Sequence, residues 1–472
     1  MLPTALEGQG QDRPTFLRLL RELRRAGRET PSETALRQQA RLARLIEFTR
    51  KRSVYYRKIY SGIPVDIGDL RSLPPVTKND LVSNFAAWST DPAVSLETVE
   101  AFVADPSRLG RLYLGRYLAF ATSGTTGRPA VFLHDREALA VYLALLFARR
   151  LPTMIASGSL SSFLRNRGRT ATIITTGGHF TSSVLEALVR SRFPRLSGSN
   201  RTFSLMDPLP ALVRQLNGFR PAVIGSYPTA LAILAGEQAA GRLRIRPALA
   251  LSGAERLSSA AAERIAASFG CPLLDTYAAS EFPGIAFDCR YGRLHVNHDW
   301  VILEPVDAAF RPVPPGDPSH STLLTNLANR VQPLIRYDLG DSVTALPTAC
   351  PCGSPLPSIR PAGRRDEILY LESPGGETKP LIPLVLATVV EETPGVMSYQ
   401  VIRAGPSRLR IRVDEAPGYD RPRVCDDLLR RLREYLSSQD LASVALELKE
   451  ERPIREPAGG KLRQFFSERE GP

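Results

Sequence analysis

The sequence predicts an α/β protein. A large N-terminal domain of mostly parallel sheet flanked by helices should be followed by a small α+β domain. Three observations lead there. From Leu118 to about Thr348, short apolar runs alternate with stretches of helical periodicity, the pattern of parallel strands joined by crossover helices. Ahead of them, residues 14–60 carry apolar side chains at helical spacing. Beyond Leu346, Pro347, Pro351, Pro355, Pro357 and Pro361 lead to Gly363, and such a proline-rich stretch marks a boundary. The expected division is 1–362 for the large domain, with a helical region over about 14–90, and 363–472 for the small one.

Taken in order, Phe16, Leu17, Leu20 and Leu23 recur at i, i+3, i+4 spacing, Leu42, Leu45, Ile46 and Phe48 do so approximately, and both sets predict helices. Leu73-Pro74-Pro75 ends that region, and Thr77 reads as the N-cap of a helix over Lys78–Ala87. Leu118 to Ala121 and Ala130 to Leu133 read as two strands around a loop. Strands are expected at Ala171–Thr175, Ala222–Gly225 and Ala248–Leu251, with helices at Ser182–Ser191, Pro208–Asn217, Thr229–Ala240 and Ser258–Phe269. In the small domain, strands are expected at Ile368–Leu371, Ser398–Arg403, Leu409–Val413 and Val444–Leu448. Helices are expected near Leu384–Glu392 and Arg421–Ser437.

Composition narrows the function classes. Hydrophobic residues make up 43% and charged residues 23% of the 472, which fits an ordinary globular protein. No apolar run reaches the ~18 residues of a membrane span. Met1 to Pro14 is polar and lacks the apolar core of a signal peptide. Five cysteines do not make a disulfide framework, so the cytoplasm is the expected compartment. The net charge of +13 is carried mainly by arginine, with Arg18, Arg21, Arg24, Arg25 and Arg28 on one predicted helix. A basic surface attracts polyanions. No nucleic-acid-binding motif accompanies it, and a solvated basic helix is the favoured reading.

The chemistry lies in motifs. Thr122-Ser123-Gly124-Thr125-Thr126-Gly127-Arg128-Pro129 joins two predicted strands by a tight, hydroxyl-rich loop. Its glycines can turn successive N–H groups into one concavity. Four hydroxyls and a guanidinium suit that concavity to phosphate oxygens. It is not a Walker A loop, whose spacing is absent. Asp275-Thr276-Tyr277-Ala278-Ala279-Ser280-Glu281 puts an aromatic ring four residues before a carboxylate, which suits either a stacking face with a Mg²⁺ ligand or a purely structural strand end. In Leu334-Ile335-Arg336-Tyr337-Asp338-Leu339-Gly340-Asp341 the last Asp follows a glycine turn, where a carboxylate can accept ribose hydroxyls. Gly363-Arg364-Arg365-Asp366 sits at the domain boundary, and Gly459-Gly460-Lys461 near the C-terminus can carry a lysine to an anion.

In this order and spacing, the motifs resemble the adenylate-forming (AMP-binding) superfamily, which includes acyl-CoA synthetases, peptide-synthetase adenylation domains and luciferases. The resemblance runs from about residue 50 to 465. Ser53-Val54-Tyr55-Tyr56-Arg57-Lys58 and Leu73-Pro74-Pro75-Val76-Thr77-Lys78-Asn79-Asp80-Leu81 are similar to the start of the phenylacetate–CoA ligase branch. So are Cys289 with Gly292-Arg293-Leu294-His295, and Cys350-Pro351-Cys352-Gly353.

The resemblance implies an ATP- and Mg²⁺-dependent ligase. It would activate a carboxylic acid, aryl or arylacetic, and pass the acyl group to a thiol such as CoA or a carrier protein's. It implies that Thr122, Ser123, Gly124, Thr125, Thr126, Gly127 and Arg128 hold the ATP phosphates. Gly253, Ala254 and Glu255 would lie against adenine, with Tyr277 stacked near the adenylate. Ser280 would neighbour the α-phosphate, Glu281 would bind Mg²⁺, and Asp341 would take the ribose with Arg364 close by. Asp366 would be the hinge and Lys461 the mobile catalytic lysine. Tyr227, His179 and Ala278 would line the acyl pocket, although a loop role suits His179 equally.

Three departures stand out. Arg128 replaces the loop's usual lysine, and Ala278 replaces the glycine after the motif tyrosine. The segment Tyr370–Leu381 replaces the branch's Gly-x-Asn-x-x-Pro loop, which the resemblance ties to thiol transfer. An adenylyltransferase or an amide-forming relative therefore stays open, as does a non-catalytic nucleotide- or polyanion-binding protein. Cys289, His295, Cys350 and Cys352 fit either a structural Cys₃His zinc site or free buried thiols. Cys271 and Cys425 read as core.

Overall fold

The computed structural model describes residues 16–27, 29–64, 69–121, 130–156, 159–174, 179, 181, 184–185, 187–188, 199–254, 257, 259–317, 319–361, 369–381, 383–416, 418–454 and 464–468. The expected phosphate loop Thr122–Pro129, Glu255, Arg364, Asp366 and Lys461 lie outside them, as does most of the expected helix Ser182–Ser191.

The N-terminal region is helical, with helices at Phe16–Ala26, Pro31–Arg52, Val54–Ile59, Lys78–Ser83, Phe85–Trp88 and Leu96–Ala104. Their starts follow from sequence. Thr30 and Glu33 form a capping box ahead of Pro31–Arg52, with Pro31 in the first turn. Thr77 and Asp80 form another. The single helix expected over Lys78–Ala87 is two, broken at Asn84. The Asn84 backbone leaves the helical region at φ −117, ψ 29, and its Nδ2 donates to Asp80 O at 2.8 Å. A short amide side chain that bonds the preceding turn competes with helix continuation. The region docks through Tyr56 Oη and Trp88 Nε1, which both donate to Pro333 O, at 3.1 and 2.7 Å.

Two strands, β1 (Leu118–Ala121) and β2 (Val131–His134), pair antiparallel around the phosphate-loop segment. Helices Arg136–Ala156 and Ser159–Arg165 follow. The main sheet then forms from β3 (Thr170–Ile174), β4 (Asn200–Ser204), β5 (Val223–Ser226), β6 (Leu249–Gly253), β7 (Leu273–Ala279), β8 (Phe282–Asp288) and β9 (Leu294–Val296). The later strands β13 (Val343–Ala345) and β14 (Ser358–Pro361) complete it. The spatial order is β13-β14-β9-β8-β7-β6-β5-β3-β4.

The expected α/β architecture holds, and the sheet is mixed. Strands β4, β3, β5, β6 and β7 run parallel. Helices Leu209–Phe219, Pro228–Ala239 and Ser259–Phe269 connect them, because a parallel pair needs a crossover. From β7 onward neighbours are antiparallel. The β7–β8 and β8–β9 connections are turns too short to carry a helix. Between β9 and β13 lies a further antiparallel sheet of β10 (Val301–Val306), β11 (Ser321–Asn326) and β12 (Tyr337–Asp338).

The C-terminal elements are β15 (Leu369–Glu372), β16 (Thr378–Leu381), helix Pro383–Glu391, β17 (Val396–Gly405), β18 (Arg408–Glu415), helix Arg421–Ser438, β19 (Ala445–Leu448) and β20 (Phe465–Ser467). Strands β19-β18-β17-β20 form one sheet. Helix Arg421–Ser438 buries Val424, Cys425, Leu428, Leu432, Tyr435 and Leu436, one helical stripe. The segment Tyr370–Leu381 is a hairpin, with Leu369, Leu371 and Leu381 buried.

Candidate active site

The site gathers at the strand ends in the middle of the main sheet, where β7 turns into β8. Strand β7 carries Tyr277 and breaks register between Tyr277 and Ala279. That irregularity at Ala278 re-aims the side chains of the turn. Tyr277 Oη donates to Asp341 Oδ2 at 2.9 Å. Asp341 follows β12 through Gly340, whose φ of 71 needs a residue without Cβ. Gly340 N donates to Asp338 Oδ1 at 3.0 Å, and Thr322 Oγ1 donates to Asp341 O at 2.9 Å. The aromatic ring and the acid, 64 residues apart, are thus one hydrogen-bonded unit.

Ser280 and Glu281 form the turn itself. Ser280 Oγ lies 3.1 Å from Thr181 Oγ1, and Ser280 O lies 2.8 Å from His134 Nε2. Glu281 O accepts from Asn326 Nδ2 at 2.9 Å, and Glu281 Oε1 accepts from Tyr337 Oη at 2.9 Å. The Glu281 side chain is buried. Burial pushes its carboxyl above the usual carboxylate range, Asp341 pushes the same way, and Lys78 at the start of helix Lys78–Ser83 opposes them. A buried carboxylate facing a second one is the setting a divalent cation relieves, so this donor set fits Mg²⁺.

At the end of β6, Gly253 approaches β7 so closely that an added Cβ would meet Thr276 O at 3.0 Å. Ala254 beside it has φ 70, a conformation that costs a non-glycine residue and is often found at binding loops. Tyr227 follows β5 as the N-cap of helix Pro228–Ala239, packed into the core. His179 packs against Phe102 of helix Leu96–Ala104 with ring centroids 5.7 Å apart. Its carbonyl accepts from Ala121 N at 2.8 Å, so it braces β1.

At the far end of β8 a second cluster forms. Cys289 sits in the β8–β9 turn, His295 in β9, and Cys350 and Cys352 in a turn before β14. Their ligand atoms all lie within 4.8 Å of one another. Cys289 Sγ is 3.6 Å from Cys350 Sγ, and Cys352 Sγ is 3.3 Å from His295 Nε2. His295 Nδ1 lies 3.0 Å from Leu356 O. A carbonyl only accepts, so Nδ1 carries the proton and Nε2 presents its lone pair to the sulfurs, as a metal-ligating histidine does. Three sulfurs and one nitrogen fit zinc. Cys271 is buried, and burial pushes its thiol up to about 12.

Thus Tyr277, Ser280, Glu281 and Asp341 come together, as do the four cysteine and histidine ligands. Sequence reasoning did not single out His134, Tyr142, Asn326, Thr181 or Thr322. Tyr337 stood inside a motif without a role.

No family model matches the chain. It is 26% identical to phenylacetate-coenzyme A ligase of Thermus thermophilus, over 91% of this chain and 95% of that protein. Two solved states of 2-hydroxyisobutyryl-CoA ligase share its fold. The thioesterification state, with 2-HIB-AMP and CoA, gives a TM-score of 0.56 at 19% identity, covering 95% of this chain and 92% of that one. The postadenylation state, with R3-HIB-AMP, gives 0.54 at 19% identity, covering 94% and 92%. The sequence comparison bears out the resemblance to phenylacetate–CoA ligase, and the structural comparison bears out the expected fold.

Proposed function

We propose that this chain activates a carboxylic acid, aryl or arylacetic, with ATP and Mg²⁺ to an acyl-adenylate, and then transfers the acyl group to CoA. The single observation that carries the reading is the pairing of Tyr277 with Asp341 beside the buried Glu281. A ring, a ribose-binding acid and a metal-binding acid in one place are what an adenylate requires.

Attack of a carboxylate on the α-phosphorus brings two anions together. Positioning and charge neutralisation then do most of the work. In this reading Asp341 accepts the ribose hydroxyls while Tyr277, held by its hydroxyl, offers its face to the adenylate. Ser280 faces the α-phosphate. Glu281 holds Mg²⁺, which when bound supplies positive potential to the phosphate oxygens. Thr122 to Arg128 grip the departing pyrophosphate, Gly253, Ala254 and Glu255 border the adenine, and Arg364 supports the ribose. Lys461, carried by a small domain of residues 363–472 that turns about Asp366, neutralises the carboxylate and then withdraws. A thiol reaches the same carbonyl, and AMP leaves with one oxygen of the original acid. Tyr227, His179 and Ala278 border the acyl group. Cys289, His295, Cys350 and Cys352 hold a structural zinc ion.

The hairpin Tyr370–Leu381, in place of the branch's loop, favours keeping one second reading, the same adenylation followed by transfer to an amine or a carrier-protein thiol. Acid-dependent ATP–pyrophosphate exchange, measured over a panel of aromatic and aliphatic acids, tests activation. Repeating it with CoA, pantetheine and hydroxylamine separates the acceptors. Exchange absent with every acid, while ATP still binds, would turn the reading to a nucleotide-binding protein.

A further inference from the structure

The hydrogen bonds behind the Ser280–Glu281 turn run in one direction, and that direction follows from chemistry. Ser280 O can only accept, so His134 donates from Nε2. Its Nδ1 then holds a lone pair and accepts from Tyr142 Oη at 3.0 Å. The Tyr142 oxygen accepts from Asn326 Nδ2 at 2.9 Å, and the same amide nitrogen donates to Glu281 O. Asn326 Oδ1 accepts from the N–H groups of Ala328 and Asn329, at 2.9 and 3.2 Å, which fixes the orientation of the amide.

All three side chains are buried. The Phe120 ring lies 4.7 Å from that of His134, and the Phe282 ring 4.8 Å from that of Tyr142. Burial holds His134 down to about 3, so the ring stays neutral and the chain keeps its direction at neutral pH. The chain draws on β2, helix Arg136–Ala156 and β11, and it ends on the carbonyls of both turn residues. None of the three touches the Glu281 carboxylate. Pinning the two carbonyls fixes the peptide planes on either side of Glu281 Cα, and so the direction in which its side chain leaves. His134 also closes β2, the strand that follows residues 122–129.

We infer that His134, Tyr142 and Asn326 are positioning residues that set the Glu281 carboxylate for the divalent cation accompanying ATP. The inference rests on Glu281 being the cation's ligand. Outer-shell partners of metal ligands typically change metal affinity about 10–100-fold when removed.

The test uses Mn²⁺ as probe. Its binding to the full-length protein with a non-hydrolysable ATP analogue is read by electron paramagnetic resonance, beside the thermal midpoint and the KM for the acid. His134→Phe and Tyr142→Phe should each weaken Mn²⁺ binding about 10-fold or more and leave the KM for the acid unchanged. His134→Gln keeps a donor toward Ser280 and should recover most of the affinity; it also covers the case in which His134→Phe fails to fold. Unchanged Mn²⁺ affinity in folded His134→Phe and Tyr142→Phe, with only a lower thermal midpoint, overturns the inference. Unchanged affinity in Glu281→Gln overturns the reading of Glu281 itself, and the role of the chain with it.

Discussion

The two ends of β8 carry two candidate metal sites built in opposite ways. At the Glu281 end the protein supplies the order. The carboxylate accepts from Tyr337, and backbone carbonyls on both sides of Glu281 are tied to buried donors from other elements. At the Cys289 end the described ligand set is three sulfurs and an imidazole, held by Leu356 O against His295 and by the Ser354 N–H, which donates to Cys352 Sγ at 3.4 Å. In the proposed reading the first site is arranged before its cation arrives and releases it with each nucleotide, while the second encloses an ion that ties its four ligands together; the difference is then between a site for turnover and a site for stability.

Substitutions that separate the two kinds of dependence test this contrast. The largest effect belongs to the turnover chemistry. Lys461→Ala should lower adenylation by several orders of magnitude and leave ATP binding nearly intact, as measured by pyrophosphate exchange and calorimetry. An unchanged rate would remove Lys461 from the mechanism. Next, Glu281→Gln should lower exchange about 100-fold or more without lowering the thermal midpoint. Its carboxyl sits above the usual range because of burial, so a neutral amide there is easier to bury. A large fall in midpoint would make Glu281 structural.

The opposite signature is expected at the other end of β8. Cys350→Ser or Cys352→Ser should abolish bound zinc, measured by elemental analysis of protein purified without chelator. Either should lower the thermal midpoint by several degrees, with the Mn²⁺ dependence of exchange unchanged. Less than trace zinc in the parent protein would leave free thiols as the reading, and the contrast would fail.

The remaining effects are in pH dependence. His134 is neutral when folded, with its ordinary value of 6.5 moved to about 3 by burial. Its contribution to stability is complete above about pH 6.5. It is lost by about 1.4 kcal/mol per unit as pH falls toward 3, because the unfolded chain takes up the proton first. Denaturant titrations of His134→Gln should show a shallower acid limb than the parent. Glu391 has the opposite sign. Burial raises it to about 7, against the bonds it accepts from Tyr399 and Gln464. The parent therefore loses stability as pH rises from about 4.5 through about 7, and Glu391→Gln should flatten that slope.

The contrast also explains what the sequence could disclose. Strands and helices were legible because apolar spacing repeats at 2 and 3.6 residues. Where Asn84 interrupts the pattern, the helix expected over Lys78–Ala87 splits, through one side-chain bond that spacing does not register. Tyr277, Glu281 and Asp341 were legible because each sits in a run with a turn or a glycine. Their meeting needed the fold, since Tyr277 and Asp341 are 64 residues apart. The antiparallel half of the main sheet was not foreseen, because short polar connections look alike whether they reverse a strand or end one. Nothing marked His134, Tyr142 or Asn326. A buried polar side chain carries no periodic signature, and its partners lie 146 and 184 residues away in sequence.

The central claim is that a carboxylate oxygen attacks the α-phosphorus of ATP in the site around Tyr277, Glu281 and Asp341. An acid that supports exchange, labelled with ¹⁸O in its carboxylate, tests it most directly when converted with ATP and CoA or hydroxylamine. Mass spectrometry of the AMP should then show one ¹⁸O per molecule formed, together with unlabelled pyrophosphate. AMP without label, or label in a released phosphate, would contradict the account.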